Sequence, residues 1–327
     1  MELPELLFRQ QALRRGHSDE EIRRMYTRCG WQRLGHGAYV DAVTFAELEA
    51  AARHRLRIEA TLPAMATEAI LSHESAAVMY KLPLWRVPLD RIQITRDRRN
   101  GGRIKDDLTV HCGPVVGVVE IDGFLVTTPA RMVVDLGRTL PFEQAVVTGD
   151  AAVRTFGVTA EDLAVELEFA KYRRGAAAAR RVVSFLDGRS ESVGESRSRV
   201  MLRRCGIDGL LSQGIVFDAG GVARGRVDFY DEELGVLGEF DGRVKYGRLL
   251  RPGQDPGDAV FEEKLREDRL REPGFQVVRW IWDELESDST GVRIAQSLER
   301  GRKSPAPDGR IERAPLPKPC ELVIRSL

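Results

Sequence analysis

Arg226–Gly242 reads RVDFYDEELGVLGEFDG, and the way this stretch folds back decides the architecture of the C-terminal part of the chain. Two runs of strand-forming residues flank a polar centre, with Gly235 placed to help the chain reverse. A turn centred between Glu233 and Leu234 sets Asp228 directly opposite Glu239, since both are equidistant from that centre. Val227, Phe229 and Phe240 then face the core, while Asp228, Glu239 and Asp241 share the other face. Three carboxylates on one patch repel one another and require a counter-charge. Hard oxygen ligands suit Mg²⁺ or Mn²⁺, and such an ion can activate a water for attack on a phosphodiester. The plainer reading is a charged hairpin end closed by Asp241-Gly242, a common turn dipeptide. A slip of one residue in register would put Asp228 and Glu239 on opposite faces.

Around this hairpin the pattern is helix, three strands, helix, strand. SVGESRSRVMLRRCG (192–206) is a helix carrying Glu195 together with Arg197 and Arg199, arginines that suit phosphate oxygens and are candidate DNA contacts. Glu195 could add a fourth carboxylate to the site, or could only reach back to Ser192 as part of a capping box. Lys245, just beyond the hairpin, could steady developing negative charge. FEEKLREDRLREPG (261–274) is a charged helix presenting Lys264, Arg266 and Arg269, and FQVVRWIW (275–282) a strong strand. An α-β-β-β-α-β unit with a mixed sheet is expected over 191–298. Two linking helices precede it over 155–190. The 299–327 tail is Pro-rich and charged, and its composition predicts a loosely tethered segment.

Upstream, residues 1–43 read helix, helix, then a hairpin broken by Gly35 and Gly37. Ser18 and Glu21 form a capping box at the start of the second helix. That order is expected of a winged helix-turn-helix. The second helix carries Arg23, Arg24 and Arg28, and Arg33 and His36 stand near the wing. Residues 44–154 read as an α+β domain without a phosphate loop. One long helix is expected from Thr128-Pro129 onward. His73 lacks a Cys or Ser partner at a readable spacing and is read as packing at a helix start. The chain is thus expected to be an α+β, in part α/β, multidomain protein.

The chain has 327 residues, enough for two or three domains, with 50 Lys+Arg balanced by 50 Asp+Glu. Zero net charge does not favour a nucleic-acid partner, but phosphate binding needs only a local patch. Such patches occur between Arg9 and His36 and between Lys171 and Arg204. The four cysteines, Cys29, Cys112, Cys205 and Cys320, form no metal-ligand spacing and read as thiols of a reducing compartment. His111-Cys112 is a poor chelate, because neighbours on a strand point to opposite faces. No signal peptide or membrane span is expected, so a soluble, cytoplasmic protein is.

Two resemblances add to this. DFY…GEFDG, the GESRSR helix and EEKLREDRLREPGFQVVRW, over about Gly194–Leu285, resemble the very-short-patch-repair-like endonuclease domains of the PD-(D/E)XK superfamily. The resemblance implies a restriction-endonuclease-like fold hydrolysing DNA phosphodiesters. It implies Asp228 as first acid, Glu239 as second and Glu195 as the helical acid, with Lys264, Arg266 and Arg269 of the downstream helix helping to bind DNA phosphate. The superfamily's Lys position holds Asp241 here, a departure shared with the subfamily's E-x-D-G form, and Lys245 stands near the place of a later basic residue. GHSDEEIRRMYTRCGWQRLGHGAYV, ILSHESAAVMYKLP and TTPARMVVDL, over about 5–153, resemble the abortive-infection type IV antitoxin family. That resemblance implies promoter-DNA binding by the winged helix, with Arg23, Arg24, Arg28, Arg33 and His36 as the DNA contacts, and leaves room for a toxin partner. Together they yield an expected DNA-binding, Mg²⁺- or Mn²⁺-dependent endonuclease, with catalytic Asp228, Glu239, Asp241, Lys245 and Glu195. The rival expectation is a non-enzymatic repressor or antitoxin-like regulator whose nuclease fold is vestigial.

Overall fold

A computed structural model describes residues 3–35, 37–65, 69–242 and 256–326, of which 64 and 256–263 are described by backbone alone. The chain is α+β, and no helix among the described residues is long and apolar enough to cross a membrane. It divides into two compact units. The first comprises Met1–Ala152, Val158–Phe185 and Cys320–Leu327; the second comprises Val153–Gly157 and Leu186–Pro319. The expected segments 1–43 and 44–154 therefore fall almost wholly within one unit.

The first unit begins with β1 (Leu7–Phe8), α1 (Arg9–Arg14), α2 (Asp19–Arg28) and the hairpin β2 (Trp31–Gly35) and β3 (Ala38–Asp41). β1 pairs with β3, giving a three-stranded sheet of order β1-β3-β2. Ile22 of α2 packs with Ala12 and Tyr39, which is why an otherwise polar helix adheres to the hairpin. Ser18 accepts from the Glu21 amide and Glu21 reaches back to the Ser18 amide at 2.7 Å, the expected capping box. Ser18→Ala is expected to cost about 1 kcal/mol, read as a lower urea midpoint.

Helices α3 (Ala42–Glu47) and α4 (Ala50–Thr61) lead to β4 (Ile70–Leu71), α5 (His73–Met79), β5 (Ile92–Arg96), β6 (Arg103–Ile104), β7 (Leu108–Cys112), β8 (Gly117–Ile121) and β9 (Phe124–Thr127). These strands form a mixed sheet of order β8-β9-β4-β5-β7-β6. Asp122 and Gly123 both take positive φ between β8 and β9, as a tight two-residue hairpin turn requires. Thr128 caps α6 (Pro129–Thr139) with Pro at its first turn, as expected. The single long helix expected there is two, because Leu140, preceding Pro141, is driven to extended backbone at ψ 158°. α7 (Phe142–Phe156) follows, then α8 (Ala160–Ala170) and α9 (Ala176–Val183).

The second unit contains α10 (Val193–Arg204), β10 (Leu211–Asp218), β11 (Ala223–Asp231), β12 (Val236–Asp241), α11 (Pro256–Arg271), β13 (Gln276–Ile281), α12 (Asp288–Lys303) and β14 (Gly309–Arg313). Through β13 this is the expected α-β-β-β-α-β order. The sheet runs β13-β12-β11-β10-β14, with β12 and β13 parallel and the other pairs antiparallel. One face packs Phe229, Val236, Val278 and Trp280 against Met201 and Leu202 of α10 and Ile294 of α12. The other carries Tyr230 and Leu237 against Leu270 of α11.

The expectation of a loosely tethered tail is corrected. α12 continues to Lys303, β14 extends the sheet alongside β10 with Ile311 buried, and Ile324–Ser326 pairs with β8 of the first unit. Each pairing covers a strand edge that would otherwise leave backbone groups without partners. Proline fraction does not register such short edge strands.

Candidate active site

The hairpin β11–β12 has the register that its sequence implies. Asp231 pairs with Val236, Tyr230 with Leu237 and Phe229 with Gly238, so the next position across is Asp228 against Glu239. The turn is centred between Glu233 and Leu234. Phe229 and Phe240 pack on the α10 side. Glu239 lies on the α11 side, with Leu237 as its neighbour two residues back and Arg266 of that helix bonded to it. The expectation that Val227 shares a face with Phe229 is corrected, because Val227 packs with Tyr230 and Leu237, and strict alternation therefore breaks at Asp228.

Each carboxylate then has its own surroundings. Beyond Phe229 the strands part, and Asp228 Oδ2 accepts the Phe240 amide at 2.9 Å in place of a ladder bond. Glu239 is only 5 % exposed, and its counter-charge comes from two arginines. Arg266 Nη2 of α11 donates to Oε1 at 2.5 Å, while Arg279 of β13 donates to Oε2 through Nε at 2.8 Å and lies at 2.7 Å through Nη2. Arg279 is brought there by the parallel register, in which it pairs with Glu239 itself. It also ion-pairs with Glu267, which holds Arg271 as well. Arg266 is further fixed by the Arg226 carbonyl at 3.2 Å. Asp241 closes β12, half-buried, opposite Ile281. Among the described residues, no three His, Cys, Asp or Glu side chains come close enough to hold an ion.

Glu195 sits 7 % exposed at the first turn of α10. Ser192 Oγ donates to its Oε1 at 2.8 Å, and the Glu191 amide and Gln213 Nε2 donate to Oε2 at 2.8 and 2.7 Å. Burial pushes its carboxyl up, against these hydrogen bonds. It therefore ties α10 to β10, where Gln213 takes a left-handed φ of 61°. Gly194 beside it leaves room for the Phe240 ring, which any Cβ would overlap.

The remaining candidates divide by burial. Arg197 is 3 % exposed, pairing with Glu286 at 3.4 Å and lying over the Trp282 ring. Arg199 is largely buried, with Asp187 at 3.7 Å. Neither presents its charge to solvent as a helix-surface arginine would. Lys264 and Arg269 are exposed on α11. Arg23, Arg24 and Arg28 are exposed along α2, and Arg33 is exposed with Nε donating to the Gly35 carbonyl at 3.0 Å. His36 and Lys245 lie outside the described residues. Sequence reading missed Arg279 and Gln213. Arg279 could have been found from the alternation of QVVRWI, which puts an arginine on a buried parallel strand where only an acid partner makes it tolerable. Gln213 carried no such signal.

No family model matches the chain. Over 197 residues, 60 % of the chain, it is 28 % identical to two proteins of Mycobacterium tuberculosis. They are "Uncharacterized protein MT2308" of strain CDC 1551 / Oshkosh and "Uncharacterized protein Rv2248" of strain H37Rv, and the match covers 69 % of each. Those names assign no activity that could be carried to this chain.

Proposed function

We propose that the chain is a DNA-binding protein whose second unit is a restriction-endonuclease-like domain hydrolysing DNA phosphodiesters. What supports this reading is the β11–β12 register, in which Tyr230 pairs with Leu237 and Phe229 with Gly238, so that its continuation brings Asp228 level with Glu239. Hard carboxylate donors suit Mg²⁺ or Mn²⁺, and Asp228, Glu239 and Asp241, which do not converge closely enough in this arrangement, would have to draw together to hold the ion. When bound, it supplies an activated water and neutralises developing charge. Glu239 has to release at least one arginine to accept it, because both of its oxygens are engaged. The released guanidinium of Arg266 or Arg279 then has the geometry and charge to grip a phosphate oxygen. Lys264 and Arg269 extend that positive surface along α11. In the first unit, a winged helix formed by α1, α2, β2 and β3 would meet the DNA backbone with Arg23, Arg24 and Arg28.

The two arginines on Glu239 also favour a second reading, in which they replace the metal permanently. The protein is then a non-enzymatic repressor or antitoxin-like regulator with a vestigial nuclease fold and a toxin partner. Supercoiled plasmid with Mg²⁺ or Mn²⁺ separates the two. Nicking by the wild-type chain is expected, with a loss of about a hundredfold in Glu239→Ala and in Asp228→Ala. Cleavage that survives both substitutions refutes the site. DNA retention in a mobility-shift assay without any metal-dependent nicking selects the regulator.

A further inference from the structure

A second cluster of charge lies in the first unit, away from the carboxylate face. Arg131 Nε donates to Asp135 Oδ2 at 2.8 Å, and its Nη1 to the Pro114 carbonyl at 2.6 Å. Arg138 Nη1 donates to Asp135 Oδ1 at 2.9 Å, and its Nε to the Arg174 carbonyl at 3.1 Å. One buried carboxylate thus serves two guanidinium groups. A third, Arg173, belongs to the loop between α8 and α9. Among the described residues its guanidinium has neither an ion pair nor a hydrogen bond. It lies flat against Gly113, so close that a Cβ there would overlap Nη1, Nη2 and Cζ. It is partly buried, and both Arg131 and Arg138 repel it.

The other titratable neighbours do not restore balance. Glu166 lies 3.7 Å from Arg131 Nη1, and its Oε2 has no hydrogen-bond partner. Burial pushes both Glu166 and Glu74 toward the neutral acid. His73 and His111 stack at 3.8 Å, and burial disfavours the charge of each. Asp135 serves Arg131 and Arg138, and Glu166 lies against Arg131. The Arg173 guanidinium is left with no acid in contact with it in a partly desolvated place, which is unfavourable unless an anion completes it.

We propose that Arg173, seated on Gly113 beside Arg131 and Arg138, is the capture residue of a site for a phosphate dianion, free or as the terminal group of a phosphomonoester. The guanidinium fork matches two phosphate oxygens. A phosphate or phosphomonoester has at least one more terminal oxygen than a carboxylate or a backbone diester, so it can fill the fork and still turn an oxygen to a neighbouring guanidinium. His73 Nε2, which is buried without a hydrogen-bond partner, adds a polar atom 4.0 Å from Asp135 Oδ1.

The test is calorimetric titration of the full chain with inorganic phosphate and with adenosine monophosphate, at fixed ionic strength set by chloride. The wild type is expected to bind at least one of them. Arg173→Gln is expected to weaken binding roughly ten- to a hundredfold. Gly113→Ala is the second variant. The three atoms nearest its new methyl all belong to the guanidinium end of Arg173, so the fold is expected to persist (checked by circular dichroism) while the guanidinium is evicted, and a similar loss is expected. Binding of inorganic phosphate points to the free anion as the natural ligand. Binding of the nucleotide alone points to a phosphomonoester. Heat no greater than that of chloride, equal affinity in wild type and both variants, or displacement of phosphate by an unphosphorylated DNA duplex would each overturn the proposal.

Discussion

Asp135→Ala is expected to destabilise the chain by about 3–5 kcal/mol, measured as the free energy of urea unfolding. Asp135 is 1 % exposed, bonded by Arg131 and Arg138 of its own helix, with His73 of α5 at 4.0 Å. Burial works against its charge, but His73, Arg131 and Arg138 outweigh that and hold its carboxyl below the usual range. Removing it leaves the Arg131 and Arg138 side chains, 7 and 13 % exposed, without their acid. The main cost of a broken buried pair is the uncompensated charge that remains, not the lost attraction. A double variant, Asp135→Leu with Arg131→Met, should therefore recover part of the loss, because one stranded charge goes with the acid. A loss below about 1 kcal/mol in the single variant would mean that the network is solvated like a surface pair, and the account given of it would fail.

The contrast between this network and the β11–β12 hairpin shows where sequence stops being informative. The hairpin is local. Counting outward from Glu233-Leu234 gives the partner of Asp228 directly, and two-residue periodicity gives the face of Glu239, though not that of Val227. The partners of Glu239 are not local. Arg266 comes from α11 and Arg279 from a parallel strand beyond it, so neither pairing exists until the crossover is built. A metal is the natural counter-charge for three carboxylates only while no other is near, and two arginines arrive from 27 and 40 residues away. His73 repeats the case. Ser72, beside it in sequence, bonds its Nδ1 at 2.9 Å, while His111, Asp135 and Arg138 reach it from β7 and α6. The break at Leu140-Pro141, by contrast, was in plain view and follows from steric restriction alone. Short edge strands such as Gly309–Arg313 are hidden by the prolines around them, since pairing partners rather than intrinsic preference decide their conformation.

Lowering the pH from 7 to 5 is expected to cost the wild-type chain about 2 kcal/mol more than it costs His73→Asn. His73 is 2 % exposed and takes a left-handed φ of 50° at the start of α5. Asparagine tolerates that backbone and does not titrate, so the variant isolates the imidazole. Burial first, then Arg138, Arg131 and the stacked His111, drive the folded-state pKa down to about 3, with only Asp135 pulling the other way. The unfolded chain, near 6.5, takes up the proton first. The stabilising contribution of neutral His73 is therefore complete above pH 6.5 and is lost as the pH falls toward 3. Its acidic neighbours work in the opposite sense. Glu74 and Glu166 have raised folded-state pKa values, so acidification relieves a cost that they impose at neutral pH. His54 and His111, both shifted down chiefly by burial, act with His73. The net slope of the wild type mixes all of these, which is why the difference between wild type and His73→Asn is the quantity to measure, by urea unfolding at each half unit of pH. The two curves should separate below pH 6.5, with the wild type falling faster. Parallel curves would mean that His73 is protonated or solvated in the folded chain, and would remove the neutral imidazole stack from the interior of the first unit.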